Sequence, residues 1–158
     1  MSRIPDVELP DDLPVKNNLV RTAYTNPDMF RGFASLSGRV HSASHLPDRV
    51  RELVVLRVTG MLGAEYEWQA HARIAGRQGV TEADLEALRS GRDDHFERAE
   101  RAAVEFAAAV EARQVDDAAW DAARAFYSGV ELLDMTLLAG FYGLASRLAL
   151  ALDVEPDS

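Results

Sequence analysis

The 158-residue chain contains no cysteine. That absence excludes a disulfide framework, a thiolate metal site and a cysteine nucleophile together. Lysine is nearly missing as well, since Lys16 is the one lysine among 17 basic residues. With 26 acidic residues the formal net charge is -9. Nucleic acid is therefore not expected as the main partner, because phosphate binding relies on clustered Lys and Arg. No apolar run approaches the ~20 residues needed to span a bilayer. Residues 1–14 have neither the apolar stretch of a secretion signal nor the basic character of a transit peptide. No membrane partner is expected, and the expected compartment is the cytoplasm. No segment combines period-2 alternation with β-branched residues, so no strand is assigned.

What is present points to one helical domain. Hydrophobic residues make up 47% of the chain, enough for a single core, and charged residues 27%, as in soluble proteins. Pro5, Pro10 and Pro14 among acidic neighbours predict an extended arm over residues 1–14, able to lie on a partner subunit. The domain proper is expected over residues 15–158. Asn26-Pro27 is a helix start, with Asn as cap and Pro at the first helical position. It opens a helix over residues 28–42, with Met29, Phe30, Phe33, Leu36 and Val40 at helical spacing. Leu46-Pro47-Asp48 opens a second, over residues 48–61, apolar on so much of its girth that it is expected to be central. Gly63 breaks the chain, a helix follows over 64–78, and Thr81 with Asp84 resembles a capping box for a short helix to residue 90. Helices over 94–113, 117–127 and 130–152 complete an all-α, compact bundle of six to seven helices. Phe30, Phe33, Phe106, Phe126 and Phe141 read as core.

The chemistry-bearing stretch begins at Arg51-Glu52-Leu53 and continues through Glu65-Tyr66-Glu67-Trp68-Gln69-Ala70-His71. Glu67 and His71 are four apart and share one helix face. That face continues through Ile74, Ala75 and Gln78, so two ionisable groups interrupt an apolar stripe. Such positions cost free energy unless paired, which makes them candidates for function. Glu52, also in apolar company, can approach His71 if the two helices pack antiparallel. A Glu-His-Glu cluster of this kind can hold a proton on one member and accept one on another. The competing structural reading makes Glu67–His71 a supporting ion pair and gives Glu52 a salt bridge to Arg49, Arg51 or Arg73. At Glu67 the helix N-terminus favours the carboxylate, while desolvation favours the neutral acid.

His41 and His45 are four apart, which raises a metal site, but His45 precedes Leu46-Pro47 and lacks fixed helical geometry. A metal held by Glu52, Glu67 and His71 is the other such option. No metal and no cofactor is expected. His95, beside Asp93 and Asp94, reads as a solvated helix start. Trp68 is either core or pocket wall, Tyr66 either packing or a proton donor, and the Tyr142 hydroxyl needs a partner if buried.

The run from Leu46 to Val58, followed by Glu65-Tyr66-x-Trp68-x-x-His71, resembles the carboxymuconolactone decarboxylase and alkylhydroperoxidase-D-like family. In the hydroperoxidase branch a Glu on the first helix precedes Cys-x-x-Cys-x-x-x-His on the second. Glu52 and His71 match that Glu and that His, whereas Ala64 and Glu67 occupy the cysteine positions. Thiol–disulfide exchange is thereby excluded. The lactone decarboxylase branch has a Glu four residues before its His, as here, but usually lacks an acid at the position of Glu52. Relatives often carry Tyr-His and then Asn on the last helix, where this chain has Tyr142-Gly143 and Leu150.

The resemblance implies an all-α bundle and a homo-oligomer, trimer or hexamer, with a dimer as alternative. It also implies a cofactor-free carbon–carbon lyase or isomerase acting on a small organic acid or lactone. His71, Glu67 and Glu52 would be catalytic; Tyr66, Trp68 and Tyr142 would bind substrate. The alternatives are a non-catalytic small-molecule-binding or oligomeric relative, and a peroxidase-family member without thiol activity.

Overall fold

The computed structural model describes residues 2–5 and 7–157. Met1 and Asp6 of the expected arm, and Ser158 at the end of the expected domain, lie outside them. Among the described residues there are eight α-helices and no strand: α1 (Asn18–Ala23), α2 (Pro27–Ser42), α3 (Asp48–Leu62), α4 (Glu65–Arg77), α5 (Glu82–Ser90), α6 (Arg98–Ala112), α7 (Asp117–Arg124) and α8 (Gly129–Leu152), with a 3-10 turn at Asp93–His95. The helix beyond the expected six to seven is α1. Its six residues are too few for periodicity to reveal, but Asn17 caps it by accepting the Val20 N–H.

Local chemistry sets most boundaries. The Asn26 side chain accepts the Met29 N–H, and Pro27 occupies the first turn, where its missing N–H is of no consequence. α3 ends because Gly63 adopts φ +63°, a left-handed conformation that glycine takes without steric cost. Reciprocal capping boxes start α5 (Thr81 with Asp84) and α8 (Ser128 with Glu131).

The expected continuous helix over 94–113 is interrupted. After the 3-10 turn, Phe96 is extended and α6 starts only at Arg98. Tertiary contacts explain the break. Phe96 is buried in a cluster with Leu53, Leu56, Trp68 and Leu88, and Arg57 holds Asp93 at 3.0 Å. His95 is exposed, as expected, and also hydrogen-bonds through Nε2 to Asp84 at 2.8 Å. Desolvation pushes the Asp84 carboxyl up, but hydrogen bonds from Thr81, Arg49 and His95 outweigh it and bring it to about 2. Phe126 also departs from expectation: it is exposed on the surface beneath the Arg98 guanidinium, 5.6 Å from its ring centroid.

α3 is the central element, in contact with α4, α5, α6 and α8. Leu53, Val54, Val55, Leu56 and Val58 are all fully buried, and burying each such side chain contributes roughly 1.5–3 kcal/mol. Contrary to the expectation that no apolar run approaches a membrane span, α8 has the length and apolarity of one, with half of that window buried inside the molecule. Its inner face, including Met135, Leu138, Ala139 and Ala145, packs with Val54, Val55 and Phe106. This arrangement brings Glu52 on α3, His71 on α4 and Tyr142 on α8 to one place. The arm lies on its own chain: Ser2 Oγ and the Arg3 N–H both donate to the Leu152 carbonyl, at 3.1 and 2.8 Å.

Candidate functional site

Glu52 and His71 meet across the α3–α4 packing. His71 Nδ1 lies 2.8 Å from Glu52 Oε2, with the two side chains 8% and 2% exposed. A carboxylate acceptor fixes the proton on Nδ1 and leaves Nε2 as the basic nitrogen. Nε2 has no hydrogen-bond partner among the described residues, and His71 lines a cavity of about 610 Å³. Glu52 stands behind His71 and is not part of the cavity wall. None of the three arginines considered as partners for Glu52 takes that role. Arg49 binds Asp84 and Glu100, Arg51 binds Asp48, and Arg73 donates to the Asp157 carbonyl.

Glu67 sits one helical turn before His71 and also lines the cavity. The two do not hydrogen-bond, so the expected three-membered cluster is a Glu52–His71 pair with Glu67 beside it. Of the two opposing effects on Glu67, desolvation wins. Burial pushes its carboxyl above the ordinary range, and the charge of nearby His71 only partly offsets this.

That direction sets a stability test. The folded state keeps the Glu67 proton to higher pH than the unfolded chain does. The associated stability is complete below the ordinary glutamate pKa and is lost as pH rises through the folded value. Glu67→Gln removes the titration, so its melting temperature relative to wild type is expected to be higher at pH 8 than at pH 4. Thermal unfolding at both pH values checks this. An unchanged difference would show that Glu67 is not desolvated.

Tyr142 and His41 form a second hydrogen-bonded pair in the same site. The Tyr142 hydroxyl and His41 Nε2 are 2.6 Å apart. Burial pushes the Tyr142 hydroxyl well above its usual range, reinforced by Glu67 and Glu52. Burial also lowers His41, and His71 lowers it further. Both directions put the proton on the tyrosine, with neutral His41 accepting. The His41 ring stacks on His71 at 5.9 Å and 11°, and Tyr142 meets His71 edge-on at 4.7 Å. His41 is the site residue that the sequence reading left out. Its signal was available, because Phe33, Ser37 and His41 recur every four residues on one face of α2. Pairing His41 with His45 obscured it. His45 turns away and binds Asp134 at 2.9 Å.

The two remaining candidates separate. Tyr66 lines the cavity, but its hydroxyl is engaged, donating to Asp157 Oδ2 at 2.9 Å and accepting the Leu19 N–H at 3.3 Å. Burial raises its pKa. Trp68 points elsewhere. It packs with Leu53, Leu56 and Leu88, with the Arg89 guanidinium 4.2 Å from its ring centroid. Its ring so nearly fills the space over Gly60 that a Cβ there would lie 2.9 Å from it. Trp68 is therefore a core residue outside this cavity. Among the described residues no three His, Cys, Asp or Glu side chains converge as a metal site.

The rest of the cavity wall is mainly apolar, including Phe33, Ile74, Phe141 and Ala145 and, from the N-terminal segment, Leu13, Pro14 and Val15. The Asp157 side chain accepts from both the Asn18 N–H at 2.8 Å and Tyr66.

No curated protein is a significant match to this sequence. Solved structures do match the fold. An uncharacterized peroxidase-related protein from Ralstonia eutropha JMP134, an alkylhydroperoxidase AhpD core, aligns with a TM-score of 0.87 at 22% identity, over 99% of this chain and 93% of its own. A putative antioxidant defence protein AhpD from Agrobacterium tumefaciens aligns at 0.80 and 23% identity, over 86% and 95%. The debrominase Bmp8, as a cysteine-to-alanine variant in complex with 2,3,4-tribromopyrrole, aligns at 0.80 and 23% identity, over 92% and 80%. At these identities the likeness establishes the fold. Residues 27–109 match the carboxymuconolactone decarboxylase family, a span of more than half the chain that runs from the first turn of α2 through most of α6. By that match, this chain belongs to the carboxymuconolactone decarboxylase family.

Proposed function

We propose that this protein is a cofactor-free lyase or isomerase that moves a proton on a small organic acid or lactone. The observation that carries the reading is the buried Glu52–His71 hydrogen bond through Nδ1, with His71 lining a cavity large enough for a small molecule. In this reading His71 Nε2 takes a proton from carbon next to a carbonyl, and the electron pair moves onto the carbonyl oxygen. Glu52 orients the ring and stabilises the imidazolium that forms. Glu67, which holds its proton to higher pH than an ordinary carboxyl, is the donor for the developing oxyanion. Return of the proton to a different carbon completes an isomerisation. In a decarboxylation the carbon–carbon bond supplies the electron pair, carbon dioxide leaves, and the same carbon is protonated. Neither route needs a thiol. The Bmp8 complex is a precedent for a small ring compound bound in this fold.

The test is hydrogen–deuterium exchange. A panel of small lactones and keto acids is incubated with the protein in deuterium oxide and followed by NMR for loss of protons beside the carbonyl. Exchange above the buffer rate for at least one compound is expected. None across the panel would leave a non-catalytic binding protein as the better reading, one that the apolar cavity also supports.

Homo-oligomerisation belongs to the same proposal. Val130, Leu133, Leu137 and Leu144 of α8 are each at least half exposed along one side of the helix, with Leu36 of α2 also exposed. A stripe of this kind is suited to burial against a second copy.

A further inference from the structure

The cavity wall indicates what kind of molecule fits it. On it the ionisable groups Glu67, His71 and Tyr142 stand together, with the His71 and Tyr142 rings 4.7 Å apart and Glu67 one helical turn before His71. The rest of the wall is mainly hydrocarbon, from residues such as Phe33, Ile74, Phe141 and the 13–15 segment. Arg31 is the basic side chain other than histidine on the wall; it is 65% exposed and forms an ion pair with Asp28. Arg51, whose charge reaches Tyr142 and His41, is outside the wall and pairs with Asp48 at 2.8 Å. A carboxylate entering this site would thus lose its water without gaining a free cation. Anion recognition in proteins relies on the opposite arrangement, a guanidinium or ammonium aimed into the site.

We infer that the cavity selects an uncharged, mainly apolar small molecule bearing one hydrogen-bonding end, a carbonyl or hydroxyl, and turns carboxylates away. This rests on the assignment of the Glu67–His71–Tyr142 group as the reacting part of the wall; it narrows the substrate class to neutral lactone-like or phenol-like compounds, and so keeps the isomerisation and drops the decarboxylation. The polar end docks where His71 Nε2 accepts, or where Glu67 donates. The apolar body displaces water from the hydrocarbon wall, which is the main source of affinity.

The experiment is calorimetric titration of the whole protein at neutral pH with 1-naphthol and, separately, 1-naphthoate. These share one ring system and differ in charge. Naphthol is expected to bind at least ~10-fold more tightly than naphthoate, a difference of about 1.4 kcal/mol. Ile74→Trp, which fills the cavity, should abolish binding of naphthol. Ala34→Trp on α2 serves the same purpose if the first variant does not fold by circular dichroism. Equal or tighter binding of naphthoate overturns the inference, as does binding of neither probe, or naphthol binding that survives in a folded tryptophan variant. Selective naphthol binding by a protein that shows no deuterium exchange would overturn the proposed catalysis and leave this selectivity standing.

Discussion

Replacing His71 by alanine is expected to reduce deuterium exchange by a factor of about 10²–10⁴, the usual contribution of a positioned acid or base. It is also expected to destabilise the fold, for a separate reason. Glu52 is 2% exposed, its neighbours on α3 are Leu53, Val55 and Leu56, and its hydrogen bond is to His71. Removing one member of a buried hydrogen-bonded pair costs roughly 1–3 kcal/mol, because the other is left without a partner. In a chain of this size that corresponds to a fall of about 2–12 °C in melting temperature. The two effects can be separated. In the double variant Glu52→Leu/His71→Ala no unpaired carboxylate remains, so much of the stability should return while exchange stays absent. If exchange also returns in the double variant, His71 is not the acid–base group. If His71→Ala alone melts with wild type, the Glu52–His71 hydrogen bond is not maintained in solution.

Phe106→Ala is expected to have the largest effect of any substitution away from the site. Phe106 is 2% exposed on α6 and packs into the cluster formed with α3 and α8, its ring edge-on to Trp120 at 6.1 Å. Truncation removes both the transfer free energy of the ring and the contacts around the cavity it leaves, together about 3–5 kcal/mol. Urea unfolding measures this directly as a lower midpoint with unchanged slope. Because α3 and α8 carry Glu52 and Tyr142, loosening this cluster acts on the site through the position of its helices. Loss of exchange should therefore track loss of folded protein, unlike His71→Ala with Glu52→Leu, where the two diverge. A change of less than ~1 kcal/mol would contradict the packing described around α6.

Much of the helix plan was legible because it is written in local chemistry. Asn26-Pro27, Gly63 and the Thr81/Asp84 box act within a few residues of themselves and do the same thing in the structure. The misreadings fall where distant contacts override local preference. Nothing near Phe96 in sequence says that it will leave the helix to fill a space beside Trp68. Trp68 itself, next to Glu67 in the motif, was open to a pocket role. Its neighbour on the helix faces the cavity, and a one-residue step rotates a side chain by roughly 100°.

The sequence by itself determined the helical class, the absence of thiol chemistry and the placing of Glu67 and His71 on one face. Each follows from residue identity or from the 3.6-residue repeat, and neither depends on what packs against the helix. Only the tertiary structure decided which carboxylate binds the imidazole. Spacing favoured Glu67, but the α3–α4 packing delivers Glu52 to Nδ1 and leaves Glu67 to the cavity wall. It likewise decided that His41 joins Tyr142 across 101 positions of chain, and that the wall is hydrocarbon. Hydrogen bonds and burial depend on the distances between helices, and those distances are set by how the apolar faces of α2, α3, α4 and α8 close on one another.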